Sequence, residues 1–165
     1  MVSTSTHPTP RLDRSHPPAG ERRRPFLALI ADESLEVRDM YGAFLRLGGD
    51  DAVTATNGLE AVRGAFSWRP DVIVLDLAMP RMTGWGAIRV LKSDPRTCRI
   101  PIVALHDADK PEWGDEALEA GADICLGKPC APDDLLPAIV RLLRRPSPRE
   151  RECGLDATGV AVRAY

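Results

Sequence analysis

The sequence has no run of the roughly 18 uninterrupted apolar residues that a membrane span requires, which excludes a transmembrane helix as an expectation. Nor does Met1 to Gly20 carry the basic start and apolar stretch of a secretory signal; Ser, Thr, Pro, His and Arg dominate it. A cytoplasmic protein with no membrane attachment is therefore expected. Cys98, Cys125, Cys130 and Cys153 form no Cys-x-x-Cys pair, so the expectation is reduced thiols used mainly in packing. A Gly-rich phosphate loop is also missing, which argues against an enzyme built around a nucleotide or flavin and favours a chain that is not an enzyme.

What is present is an ordinary globular composition over 165 residues, 44% hydrophobic and 28% charged, enough for one domain. The formal net charge of −2 conceals an uneven distribution. Residues 1–24 and 144–165 hold five Arg each and carry surpluses of three and two positive charges, leaving −7 on residues 25–143. Both ends are rich in polar residues and Pro and poor in large apolar groups, so they bury too little surface to offset the entropy of ordering. The expected organisation is a tail over residues 1–24, a domain over 25–145 and a second tail over 146–165. The Arg-containing tails read as solubilising segments around an acidic domain, with weak contact to nucleic acid or an acidic partner as the alternative and no specific nucleic-acid site expected.

Between the ends, short apolar runs alternate with segments of helical period. Phe26–Ala31, Val72–Leu75, Ile100–Leu105 and Ala122–Leu126 have strand length and almost no polar interruption, which suits strands of a parallel sheet covered on both faces. The more mixed Asp51–Ala55 fits a sheet edge. Val37, Met40, Tyr41, Phe44 and Leu45 recur at helical spacing on a segment that Ser34 is placed to cap. Residues 57–66, 83–91, 112–120 and 132–143 supply four more helices, the last expected to bend or start late because of Pro137. Five strand–helix units give an α/β fold, a doubly wound sheet.

In such a sheet the functional crevice lies beyond the carboxyl ends of the strands. The first run ends there in Asp32-Glu33, the third in Asp76, the fourth in His106-Asp107 and the fifth in Lys128-Pro129. Converging carboxylates oppose one another's ionisation. A hard divalent ion such as Mg²⁺, held by carboxylate and carbonyl oxygens and water, relieves that repulsion.

Taken together, Ile30-Ala31-Asp32-Glu33, the stretch from Asp71 to Pro80 ending in Asp76-Leu77-Ala78-Met79-Pro80, Gly84, Gly121-Ala122-Asp123 and Gly127-Lys128-Pro129 resemble the receiver domains of two-component response regulators. The resemblance spans about residues 26–144. It implies a flavodoxin-like five-stranded parallel sheet of order 2-1-3-4-5, phosphorylation of Asp76 by a histidine kinase or histidine phosphotransferase, and Mg²⁺ (or Mn²⁺) held by Asp32, Glu33, Asp76 and the Ala78 carbonyl. Lys128 is implied as a second cation for the phosphoryl oxygens, with a cis peptide before Pro129.

Three residues depart from that pattern. His106 stands where receivers usually place a Thr or Ser, and Cys125 where an aromatic ring is common, so the hydroxyl–aromatic pair is absent. Glu33 replaces a second Asp and lengthens that ligand by one methylene. His106 is thus a rim residue, a phosphoryl contact, or a fourth ligand suited to Zn²⁺, Mn²⁺ or another transition ion. Because only about twenty residues follow the last helix, a stand-alone receiver is expected. It would signal to a downstream protein through residues 112–144, with Trp113 as a candidate anchor and homodimerisation possible on that face. The alternative is a pseudo-receiver, a protein-binding module with weak or absent phosphorylation switching.

Overall fold

The computed structural model describes residues 24–144. Five strands alternate with five helices: β1 Leu27–Ala31, α1 Leu35–Leu47, β2 Asp51–Ala55, α2 Gly58–Trp68, β3 Val72–Asp76, α3 Gly84–Ser93, β4 Ile102–Asp107, α4 Glu112–Ala120, β5 Ile124–Lys128 and α5 Pro132–Arg144. All pairings are parallel and the order is β2-β1-β3-β4-β5, so the mixed Asp51–Ala55 segment does form an edge. The expected tails lie outside the described residues.

Two apolar layers sandwich the sheet, and strand alternation assigns side chains to each. Ile73 and Leu75 of β3 point into the layer shared with α2, α3 and α4, whereas Val72 and Val74 point into the layer shared with α1 and α5. Every β3 residue is buried, as expected for a central parallel strand. The strand preceding Asp76 therefore has little freedom to shift.

β4 and β5 begin two residues later than their apolar runs suggest. The Ile100 N–H is spent in the preceding turn on the Thr97 carbonyl, and Pro101 has no N–H to offer. At β5, Asp123 is occupied in a cross-link: its carboxylate accepts from Lys92 Nζ at 2.8 Å and from the Ile102 N–H at 3.0 Å. At their other ends both strands run on past the apolar runs, so His106, Asp107 and Lys128 are ladder residues, with His106 opposite Gly127 and Asp107 opposite Lys128.

The α1 stripe is also rotated from the expected one. Arg38, Tyr41, Gly42 and Leu45 are buried, Val37 and Phe44 are half-buried, and Met40 is 43% exposed. Helix α5 continues through Pro137, which faces solvent, where water can satisfy the carbonyl left without its N–H. Cys98 is disulfide-bonded, contrary to the reduced-thiol expectation, while Cys125 and Cys130 are free.

Candidate functional site

Three helices start at the carboxyl rim of the sheet with side-chain caps. Ser34 accepts from the Val37 N–H, Asn57 from the Glu60 N–H and Thr83 from the Gly86 N–H. Glu60 reaches back past the cap and accepts from the Thr56 N–H and hydroxyl at 2.9 and 2.7 Å. Close approach at this rim is made possible by Gly84, where a Cβ would meet the Asp76 carbonyl oxygen at 2.5 Å and Leu77 Cα at 2.6 Å. The β3–α3 connection can thus fold tightly beside Asp76 only with a residue that has no side chain.

At the centre of the rim, Lys128 Nζ lies 2.7 Å from Asp32 Oδ2 and 3.1 Å from Asp76 Oδ1. Asp32 and Asp76 are almost wholly buried, at 2% and 3% exposure. Their remaining acceptor capacity is partly met by backbone amides: Ser34 N–H donates to Asp32 Oδ1 at 2.8 Å and Ala78 N–H to Asp76 Oδ1 at 3.2 Å. Burial pushes the Asp76 carboxyl above its ordinary range, an effect that Lys128 opposes and Asp32 reinforces. Burial alone would lower the Lys128 ammonium, but hydrogen bonding and charge from Asp32 and Asp76 together raise it above the usual lysine range. The Lys128-Pro129 peptide is cis, as the resemblance implied.

Arg38 braces the acidic loop, a contact that the sequence reading missed. Its Nη1 donates to the backbone carbonyls of Asp32 at 2.6 Å and Glu33 at 2.9 Å, fixing the loop that presents Asp32. The available signal was spacing: counting back from Tyr41 and Leu45 at helical intervals reaches position 38, and a charged residue in an apolar stripe needs a polar partner. Tyr41 plays a related part on the other side of the rim, donating its hydroxyl to the Cys130 carbonyl at 2.8 Å and tying α1 to the loop after Lys128.

The remaining candidates divide. Glu33 is exposed, and among the described residues no three His, Cys, Asp or Glu side chains are grouped closely enough to hold a metal ion by themselves. The structure therefore gathers Asp32, Asp76 and Lys128 but leaves the Glu33 carboxylate outside. His106 is half-buried, with Nδ1 2.8 Å from the Asp107 carbonyl and its ring against Gly114 and Gly127; it is not grouped with the acidic pair as a fourth ligand. Cys125 is half-buried, and burial pushes its thiol up. Trp113 is half-buried: its ring meets Trp85 edge-on at 5.0 Å between centroids, and Lys110 Nζ sits 4.0 Å over it.

The donors that do converge are hard oxygens, with two buried carboxylates facing one ammonium. Such a set is under-neutralised and suits Mg²⁺, which is commonly held by one or two carboxylates while keeping several waters.

Residues 28–140 match the family model described as the response regulator receiver domain. The chain belongs to this family. Among curated relatives, the receiver is 31% identical over 134 residues to PhoB, the phosphate regulon transcriptional regulatory protein of Pseudomonas aeruginosa, covering 81% of this chain and 58% of PhoB. It spans little more than half the length of the curated relatives it matches. Among solved structures, the chemotaxis response regulator CheY4 of Vibrio cholerae superposes with a TM-score of 0.67 at 32% identity, over 72% of this chain and 99% of that one. The receiver domain of sensor histidine kinase PA1611 from Pseudomonas aeruginosa gives 0.67 at 26% identity, over 73% and 98%, and that structure has a magnesium ion coordinated in its active-site cleft. The receiver thus has the fold and order implied by its motifs, and no helix among its described residues is long and apolar enough to cross a membrane.

Proposed function

We propose that this receiver accepts a phosphoryl group on Asp76 from a phosphohistidine of a histidine kinase or histidine phosphotransferase in the cytoplasm. The observation that carries the reading is the Asp32–Lys128–Asp76 cluster, two buried carboxylates sharing one ammonium at the sheet's carboxyl rim. An Asp76 carboxylate oxygen forms the new P–O bond as the donor's P–N bond breaks, and the donor imidazole leaves. Little covalent help is needed in phosphoryl transfer; positioning and charge neutralisation dominate. Lys128 supplies a cation to the transferred group, and the Ala78 N–H holds the acceptor carboxylate. Mg²⁺ would be held by Asp32, Asp76 and the Ala78 carbonyl, with Glu33 at the exposed mouth, and when bound it neutralises charge on the phosphoryl oxygens. The product is a signalling state, read by a downstream protein at residues 112–144.

The test is incorporation of one phosphoryl group, read by mass, from a small-molecule phosphodonor with Mg²⁺. Labelling of wild type and none of Asp76→Asn is the expected pattern; no labelling of wild type beside a labelled control receiver overturns the proposal. A second reading, a pseudo-receiver that binds partners without phosphorylation switching, is favoured by one observation: His106, at the usual hydroxyl position, turns its ring against α4. That reading requires the second result.

A further inference from the structure

The loop that joins β3 to α3 carries Ala78 beside Asp76, and it is fixed at both ends. At its start the Leu77 N–H donates to the Leu105 carbonyl at 2.9 Å, the Ala78 N–H donates to Asp76 Oδ1 at 3.2 Å, and Met79 is buried. At its end Gly84 lies so close to Asp76 that a Cβ would meet the Asp76 carbonyl oxygen at 2.5 Å. Between these ends the Met82 N–H donates to the Pro80 carbonyl at 2.8 Å, closing a three-residue turn about Arg81. The Arg81 φ of 65° is a left-handed conformation that a residue with a side chain adopts at a cost. Strain of this kind persists only where the surroundings over-determine it.

The surroundings here include Gly58, the first residue of α2. A Cβ on Gly58 would lie 2.4 Å from the Met82 carbonyl oxygen and 3.1 Å from the carbonyl carbon, with Met82 Cγ at 3.0 Å. The obstructing group is backbone, so no change of rotamer relieves the overlap. Gly58 is helical and has no positive φ, so the position does not need glycine for its backbone angles; it needs the absence of volume. Helix α2 is not free to retreat, because Asn57 accepts from the Glu60 N–H at 3.0 Å and the Glu60 carboxylate holds Thr56. The loop has no slack either, being set against Asp76 at Gly84 and drawn tight at Arg81.

We propose that Gly58 is a positioning residue for the phosphoacceptor site: its missing side chain sets how closely residues 78–83 lie on α2, and through that the place of the Ala78 carbonyl. The inference rests on the Mg²⁺ reading above, in which that carbonyl is a metal ligand. A methyl group at 58 displaces Met82, and because both ends of the loop are pinned the displacement is taken up around Arg81 and Ala78. Asp32 and Lys128 are held elsewhere, so the loss falls on the metal.

The test is calorimetric titration of Mg²⁺ alone into the full chain as wild type, Gly58→Ala and Gly86→Ala, with urea denaturation in a chelator to score folding. Gly86→Ala is the control, since a Cβ there meets Met82 Cγ at 3.4 Å and Thr83 Oγ1 at 3.5 Å and leaves the Met82 carbonyl alone. Gly58→Ala is expected to weaken Mg²⁺ binding about tenfold or more while the chain stays folded, and Gly86→Ala to bind as wild type does. If Gly58→Ala does not fold, the comparison is made in an Arg81→Gly background, where the turn no longer resists a shifted backbone. Affinity equal to that of the parent overturns the inference, as does an equal loss in Gly86→Ala. Loss of the fold in both backgrounds overturns it too, because the residue is then structural only. A wild type that binds no Mg²⁺ sinks the metal site of the proposed function and this inference with it, whereas a wild type that binds beside an unaffected Gly58→Ala sinks this inference alone.

Discussion

Two regions share the carboxyl edge of one sheet and obey different physics. At the ends of β1, β3 and β5, Asp32, Asp76 and Lys128 are held by charge: each buried carboxylate needs the ammonium and its backbone donor, so few other residue types would serve. At β4, α4 and β5 the determinant is volume. His106 is large, Gly114, Cys125 and Gly127 are small, and the ring packs among them at ordinary van der Waals distances. Asp32, Asp76 and Lys128 are the residues that the family resemblance implies, whereas positions 106 and 125 depart from it. A packed surface accepts compensating changes that an ionic cluster does not.

The largest effect that would break this comparison is on labelling. Asp76→Asn should abolish phosphoryl incorporation, read by mass. The same variant should be more stable than wild type near neutral pH. Because burial raises the Asp76 pKa in the folded state, the stability this group contributes is fully present below the unfolded Asp pKa and is lost as pH rises through the raised value. The Asn variant escapes that loss, so the difference in denaturation midpoint should close as pH falls below the ordinary Asp range.

Lys128→Met reverses the sign by leaving Asp32 and Asp76 facing each other without a cation. A loss of about 3 kcal/mol is expected from urea titration, as for breaking a buried pair. Arg38→Ala frees the Asp32 and Glu33 carbonyls and should cost about 1–3 kcal/mol, with slower labelling of Asp76 at fixed donor. On the volume-held side, Cys125→Ala removes one half-buried sulfur and should cost less than about 1.5 kcal/mol with labelling unchanged. A Cys125→Ala loss as large as that of Lys128→Met would erase the distinction between the regions.

Much of the fold was legible because its signals are local. The buried run at Val72–Leu75, the mixed edge at Asp51–Ala55 and the cap at Ser34 each follow from a few neighbouring residues. The strand starts at Ile102 and Ile124 were not, since Pro101 and the Lys92–Asp123 cross-link end the ladder where hydropathy alone would extend it. Trp113 was read as a candidate anchor and is half-buried; its edge contact with Trp85 was not legible, because Trp85 lies on another helix and no spacing rule connects them.

By itself the sequence determined the order of strands and helices and the residue types at each strand end, because periodicity and strand termini are properties of contiguous chain. Only the tertiary structure decided that Lys128 bridges Asp32 and Asp76 while Glu33 stays outside, that Arg38 braces the acidic loop, and that His106 turns toward α4. Those outcomes depend on distances between residues far apart in the chain, where a single charge or a missing Cβ decides which neighbour fits.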